Sequence, residues 1–150
     1  MAEVLDCRIG GELASRIVGV KYRTLDSWIR TGLLTVTRAA RGTGSRREFS
    51  FLDLIRARCV NHMRQAGVSL QTIRQVQAQL IERYGVQDPL TQPGKLIIAG
   101  GNDVHWETDD NKLLNVLKGQ YAARSLVILD MPVLAQETHQ KMLEVCRAAA

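Results

Sequence analysis

Apolar residues recur at helical spacing along the first half of the chain. Over 11–18, Leu13, Ala14, Ile17 and Val18 fall on or near one face, which predicts a short helix. Gly19 breaks it, and Val20 follows as a buried plug. A second helix is predicted from about Tyr22 to Thr31. Leu25, Trp28 and Ile29 point inward, and Gly32 stands where a C-terminal cap glycine belongs. Ser15 is small enough to let the two helices approach closely. Two short helices joined by a glycine turn form a helix-turn-helix pattern.

The pattern then changes. Leu33-Leu34-Thr35-Val36 is short and β-prone, the stretch 38–47 is basic and Gly-rich, and Glu48-Phe49-Ser50 reads as a returning strand. A hairpin with an arginine-loaded tip beside a helix-turn-helix is a wing. Ser50 and Asp53 have capping-box spacing ahead of a helix to about Gln65, with Leu52, Ile55, Cys59 and Met63 as its stripe. Ser69 is expected to cap the next helix, striped by Leu70, Ile73, Val76, Leu80 and Tyr84 and ended by Gly85. Two prolines and two glycines in 85–94 mark a linker.

Beyond the linker, Lys95–Ala99 and Val104–Glu107 predict a hairpin around 100–103. Thr108 or Asp109 is expected to cap a helix to Lys118, with Leu113, Leu114 and Leu117 inward. A buried strand over Ser125–Leu129 and a last helix from Met131-Pro132, carrying Leu134, Met142 and Val145, complete a β-β-α-β-α unit. The expected fold class is therefore α+β: a winged helix-turn-helix domain over 1–84, a linker over 85–94, and a small dimerisation or effector domain over 95–150.

Charge sharpens this division. Residues 1–84 hold 14 Lys/Arg against 7 Asp/Glu, and residues 85–150 hold 6 against 8. Thirteen of the 14 are Arg, the side chain suited to bidentate contact with phosphate and guanine. A basic half beside a mildly acidic one points to a polyanion partner plus a second role. No stretch reaches the roughly 18 apolar residues of a membrane span. The start lacks a basic n-region and an apolar h-region, so no signal peptide is expected. Cys7, Cys59 and Cys146 are scattered, and the expectation is reduced thiols in a cytoplasmic protein.

Three runs are specific together: Val20–Leu34 with its Tyr-Arg-Thr-Leu-Asp-Ser-Trp core, the wing Gly42–Leu54, and Arg64–Arg74. In order and spacing they resemble MerR-type winged helix-turn-helix regulators. More particularly, they resemble an actinobacterial subgroup with a compact mixed α/β C-terminal domain. Asp109–Gln120 is similar to that subgroup's tail. The resemblance implies a dimeric transcription regulator. The chain departs from the family in having Asp26-Ser27-Trp28 where typical members have Arg-Tyr-Tyr. It also has no cysteine between residue 69 and Cys146, so metal sensing is not implied. The usual long dimerisation helix is replaced by the linker and the mixed tail.

Physical chemistry points the same way. The N-terminal end of a recognition helix enters the major groove and needs exposed polar side chains there. Lys21, Tyr22, Arg23, Thr24 and Ser27 meet that need, away from Leu25 and Trp28, and Arg30 is a further DNA-binding candidate on the same helix. Arg38, Arg41, Arg46 and Arg47 on the wing suit phosphates or a narrow minor groove. The competing account is a solvated basic face. Such faces rarely coincide with a helix-turn-helix and a Gly-rich wing.

Other candidates are weaker. Cys59 sits on a core stripe; His62, His105 and His139 lack ligand spacing; Gly100-Gly101-Asn102 is turn-like; and Asp109-Asp110 suit a helix N-terminus. Trp28 is expected to anchor the core, and Trp106 to pack or to line a pocket. The chain is expected to be no enzyme and to need no cofactor or metal. It is expected to bind double-stranded DNA as a homodimer on a two-fold operator, at the bacterial nucleoid, with RNA polymerase or another protein as a further candidate partner. The alternative is an excisionase-like architectural protein, or an antitoxin whose C-terminal domain holds a partner.

Overall fold

The computed structural model describes residues 9–36, 47–99, 103–108, 113–117 and 126–149. Among the described residues, five α-helices and four strands follow in order: α1 (Gly11–Val18), α2 (Tyr22–Arg30), α3 (Phe51–Gln65), α4 (Leu70–Tyr84), β1 (Lys95–Ala99), β2 (Asp103–Glu107), β3 (Leu113–Leu117), β4 (Leu126–Asp130) and α5 (Met131–Ala149). The fold class is α+β, as expected. The chain packs as two compact units, Met1–Asn61 with Ala135–Ala150, and His62–Leu134. This division differs from a boundary at 85–94.

In the first unit, α1 and α2 carry the expected inward faces. Ala14, Ile17, Val18, Leu25 and Trp28 are buried, while Ile29 and Val20 are only half-buried. The end of α2 explains the chain's next step. The N–H of Gly32 donates to the Ile29 carbonyl at 3.1 Å, and that of Leu33 donates to the Trp28 carbonyl at 3.0 Å. Gly32 takes φ +79, the left-handed geometry this Schellman cap requires. The Leu34 N–H also donates to Trp28, at 3.1 Å. Leu33 and Leu34 are buried and committed to the cap, so 33–36 forms no strand, contrary to expectation. Phe49 does pair, but with Ile9, through an antiparallel bridge. The expected wing between, 37–46, lies outside the described residues.

The capping box at the start of α3 forms as its spacing predicts. The Ser50 N–H donates to Asp53 Oδ2 at 2.8 Å, and the Asp53 N–H donates to Ser50 Oγ at 3.3 Å. One stripe did not describe α3 well. Phe51, Leu54, Ile55, Ala57, Cys59, Val60 and Met63 are all buried, so the helix is enclosed on nearly every side. Leu52, in its first turn, is exposed instead. Burial pushes the Cys59 thiol up to about 12, which keeps it a neutral, inert thiol. Cys146 is disulfide-bonded, against the expectation of reduced thiols, because sequence spacing cannot show which sulfurs meet. Cys7 lies outside the described residues.

Arg58 is the unexpected member of this core. Its Nη1 donates to Thr138 Oγ1 at 2.9 Å, and its Nη2 lies 3.3 Å from Glu137 Oε2, tying α3 to α5. The Phe51 ring meets His139 edge-on at 6.0 Å. The C-terminal part of α5 thus completes the helix-turn-helix unit, a role the sequence did not reveal.

In the second unit, Ser69 Oγ accepts the Thr72 N–H at 3.1 Å and caps α4 as expected. Ile73, Val76 and Leu80 are buried along its stripe. The expected linker is structured: Pro89–Thr91 forms a 3-10 turn with Pro89 and Leu90 buried. The sheet is antiparallel, with strand order β3-β2-β1-β4. Among the described residues the tail therefore reads β-β-β-β-α rather than β-β-α-β-α. Over 113–117 the expected helix is a strand, because pairing with β2 outweighs a leucine spacing that also fits a helix. Val116 is buried there. β4 is a sheet edge rather than a fully buried strand: Leu129 faces the core and Ile128 is 56% exposed.

Two consequences can be measured by denaturant unfolding. Trp28→Ala is expected to cost about 3–5 kcal/mol, as for other buried large-to-small changes. Near-native stability with lost ligand binding would instead make the ring a contact residue. Thr138→Val, which removes the acceptor beside the buried Arg58 guanidinium, is expected to cost about 1–3 kcal/mol. Glu137→Gln is expected to cost less than about 1 kcal/mol, because Glu137 is half exposed. Equal costs for the two would refute this ranking.

Candidate nucleic-acid interface

The interface is built on α2. Burial of Leu25 and Trp28 turns the opposite face outward, and there Lys21, Tyr22, Arg23, Ser27 and Arg30 are exposed and Thr24 is half-buried. Lys21 occupies the N-cap in an extended conformation (φ −69°, ψ 146°), and its carbonyl accepts the Thr24 N–H at 3.0 Å. Gly11 makes room for Tyr22: a Cβ on Gly11 would run into the Tyr22 ring. The side chains expected to read base edges thus share the N-terminal and outer face of one helix.

Arg47 is placed differently from expectation. It is not a free loop tip. Its Nη1 donates to Asp26 Oδ1 and lies 3.3 Å from the Tyr22 hydroxyl, and its side chain is only 16% exposed. Burial works to lower its pKa, but the hydrogen bonds it donates to Asp26 and Tyr22 outweigh that and raise it, so the guanidinium stays charged. On its other oxygen, Asp26 Oδ2 pairs with Arg30 Nε at 3.0 Å, one helical turn on. Asp26 therefore bridges two arginines expected at the interface. The sequence marked Asp26 only as a departure from the family pattern, and its role needed the long-range approach of Arg47. Arg38, Arg41 and Arg46 lie outside the described residues.

Elsewhere, a cavity of about 290 Å³ opens at one end of the sheet, lined in part by Lys95, Glu107, Asp130 and Pro132. Lys95 stands opposite Glu107 on one neighbouring strand and opposite Asp130 on the other. Trp106, on β2, is buried at 2% exposure and packs. Among the described residues, no group of three or more His, Cys, Asp or Glu side chains could hold a metal ion. Among them too, no helix is long and apolar enough to cross a membrane.

Two uncharacterized HTH-type transcriptional regulators, Mb1861 of Mycobacterium bovis and Rv1830 of Mycobacterium tuberculosis, are each 34% identical to this chain over 110 residues. The alignment covers 73% of this chain and 47% of each relative, so the chain spans about half the length of the curated relatives it matches. The crystal structure of Rv2018 from Mycobacterium tuberculosis is 28% identical, with a TM-score of 0.46 over 56% of this chain and 38% of that one. The family described as MerR HTH family regulatory protein matches residues 12–80, the stretch that contains α2 and the Asp26–Arg47 bridge. Residues 12–80 of this chain are a helix-turn-helix domain of the MerR family.

Proposed function

We propose that this chain is a transcription regulator that binds double-stranded DNA in a sequence-specific way, as a homodimer on a two-fold operator. The observation that carries the proposal is the exposed outer face of α2, where Lys21, Tyr22, Arg23 and Ser27 stand opposite the buried Leu25 and Trp28. In this role α2 enters the major groove, and Arg23 and Ser27 read base edges. Arg38, Arg41 and Arg46 follow the phosphates beside it. The chain acts by binding rather than catalysis, in the cytoplasm at the nucleoid, with RNA polymerase as a candidate partner of the bound dimer.

A two-fold dimer follows from specificity. One winged domain covers a half-site, and a lone half-site discriminates poorly against a genome of competing sites. Among the described residues, the His62–Leu134 unit offers exposed apolar side chains for pairing, among them Ile81 on α4 and Ile128 on the sheet edge.

Binding isotherms across salt concentrations on an operator selected from genomic fragments test the division of labour. Arg46→Ala is expected to weaken binding to all duplexes and to lower the salt slope by about 0.9 per lost phosphate contact. Arg23→Ala is expected to relax discrimination by about 1–3 kcal/mol at one base pair. Identical profiles for the two variants would refute the assignment. In sedimentation of the full-length chain, the wild type is expected to be a dimer, and Ile81→Glu or Ile128→Lys is expected to give monomers with half-site footprints. Dimers from both variants would place the pairing surface elsewhere.

A further inference from the structure

An aspartate on a helix that faces DNA repels phosphate, so its presence calls for a compensating role. Asp26 has one: Oδ1 holds Arg47 and Oδ2 holds Arg30 at 3.0 Å. Its two oxygens present to the guanidinium groups the same acceptor geometry that a phosphate would. The two arginines are held unequally. Arg47 is 16% exposed and has a second partner in the Tyr22 hydroxyl, whereas Arg30 is 74% exposed. The Tyr22 ring lies where a Cβ on Gly11 would otherwise be, which secures the second partner of Arg47.

We propose that Asp26 is an intramolecular stand-in for phosphate. In the free protein it holds both arginines in position. On binding, a DNA phosphate takes over Arg30, while Arg47 stays on Asp26 and Tyr22 and fixes the base of the wing to α2. Asp26 is then a positioning residue that also sets affinity, since Arg30 must leave one anion to reach another. The exposed pair is the one that yields, because solvent screening makes it weak. This inference rests on the DNA-binding reading above.

The test combines variants of the full chain with duplex binding and side-chain NMR. Asp26→Asn keeps an acceptor for the better-held Arg47 and removes the charge that competes for Arg30. It is expected to tighten binding about two- to fivefold, equally on operator and scrambled duplexes, the scale of an exposed ion pair. In an Arg30→Gln background the gain is expected to disappear. A weakened Asp26→Asn protein with unchanged melting, or the same gain in both backgrounds, overturns the proposal. In ¹⁵N spectra of the free protein, Asp26→Asn is expected to move the Arg30 Nε resonance. Adding operator duplex to the wild type is expected to move it too, with Arg47 unmoved. Failure of the wild type to bind any duplex sinks the proposed function and the hand-over together. An unmoved Arg30 resonance in a chain that does bind duplex sinks the hand-over alone.

Discussion

Burial of Trp28 decides which face of α2 meets solvent. The ring is in the core, and the Trp28 carbonyl accepts the N–H groups of both Leu33 and Leu34. One residue thus anchors the helix, ends it, and fixes the direction in which the chain leaves it. Leu25, one turn earlier, is fully buried on the same side. With this face committed to the core, Lys21, Arg23 and Ser27 have only solvent, or a partner, to face.

Charge is organised around that helix. A surface with this many arginines would repel itself without internal counterions. Asp26 supplies one for Arg30 and Arg47, and Asp53 supplies another for Arg56 at 2.7 Å while also closing the capping box of α3. Arg58 has a different answer. It is nearly fully buried, and Thr138 and Glu137 meet its guanidinium from α5. A buried charge left without such partners would be strongly destabilising. The helix-turn-helix unit is therefore completed by a segment about 80 residues away in sequence.

The second unit is held differently. A four-stranded antiparallel sheet offers one apolar face, on which Leu96, Ile98, Val104 and Trp106 are buried, and α4 belongs to the same compact unit. Its start is tied to its end by the Met131 N–H, which donates to the Gly94 carbonyl at 2.9 Å. The short connection over 85–94 is part of this unit because Pro89 and Leu90 are buried in it. Proline and glycine there shape a packed turn.

Local chemistry was legible in the sequence, and pairing at a distance was not. The bounds of α1, the C-terminal glycine cap of α2, the Ser50–Asp53 box and the Ser69 cap all depend on residues within a few positions of one another, so spacing alone determined them. The inward face of α2 and its exposed polar residues followed from the same periodicity. The strand at 113–117 did not, because Leu113, Leu114 and Leu117 fit either period and only the neighbouring β2 decides between them. The contact of Arg58 with α5, the pairing of Arg47 with Asp26 and the disulfide at Cys146 likewise depend on segments brought together by folding. Sequence determined the capped helices of the first half and the polar face of α2, since 3.6-residue periodicity and capping are local. Tertiary structure alone decided which arginines are held and by what, since a guanidinium's partner is whatever carboxylate the fold brings within hydrogen-bonding reach.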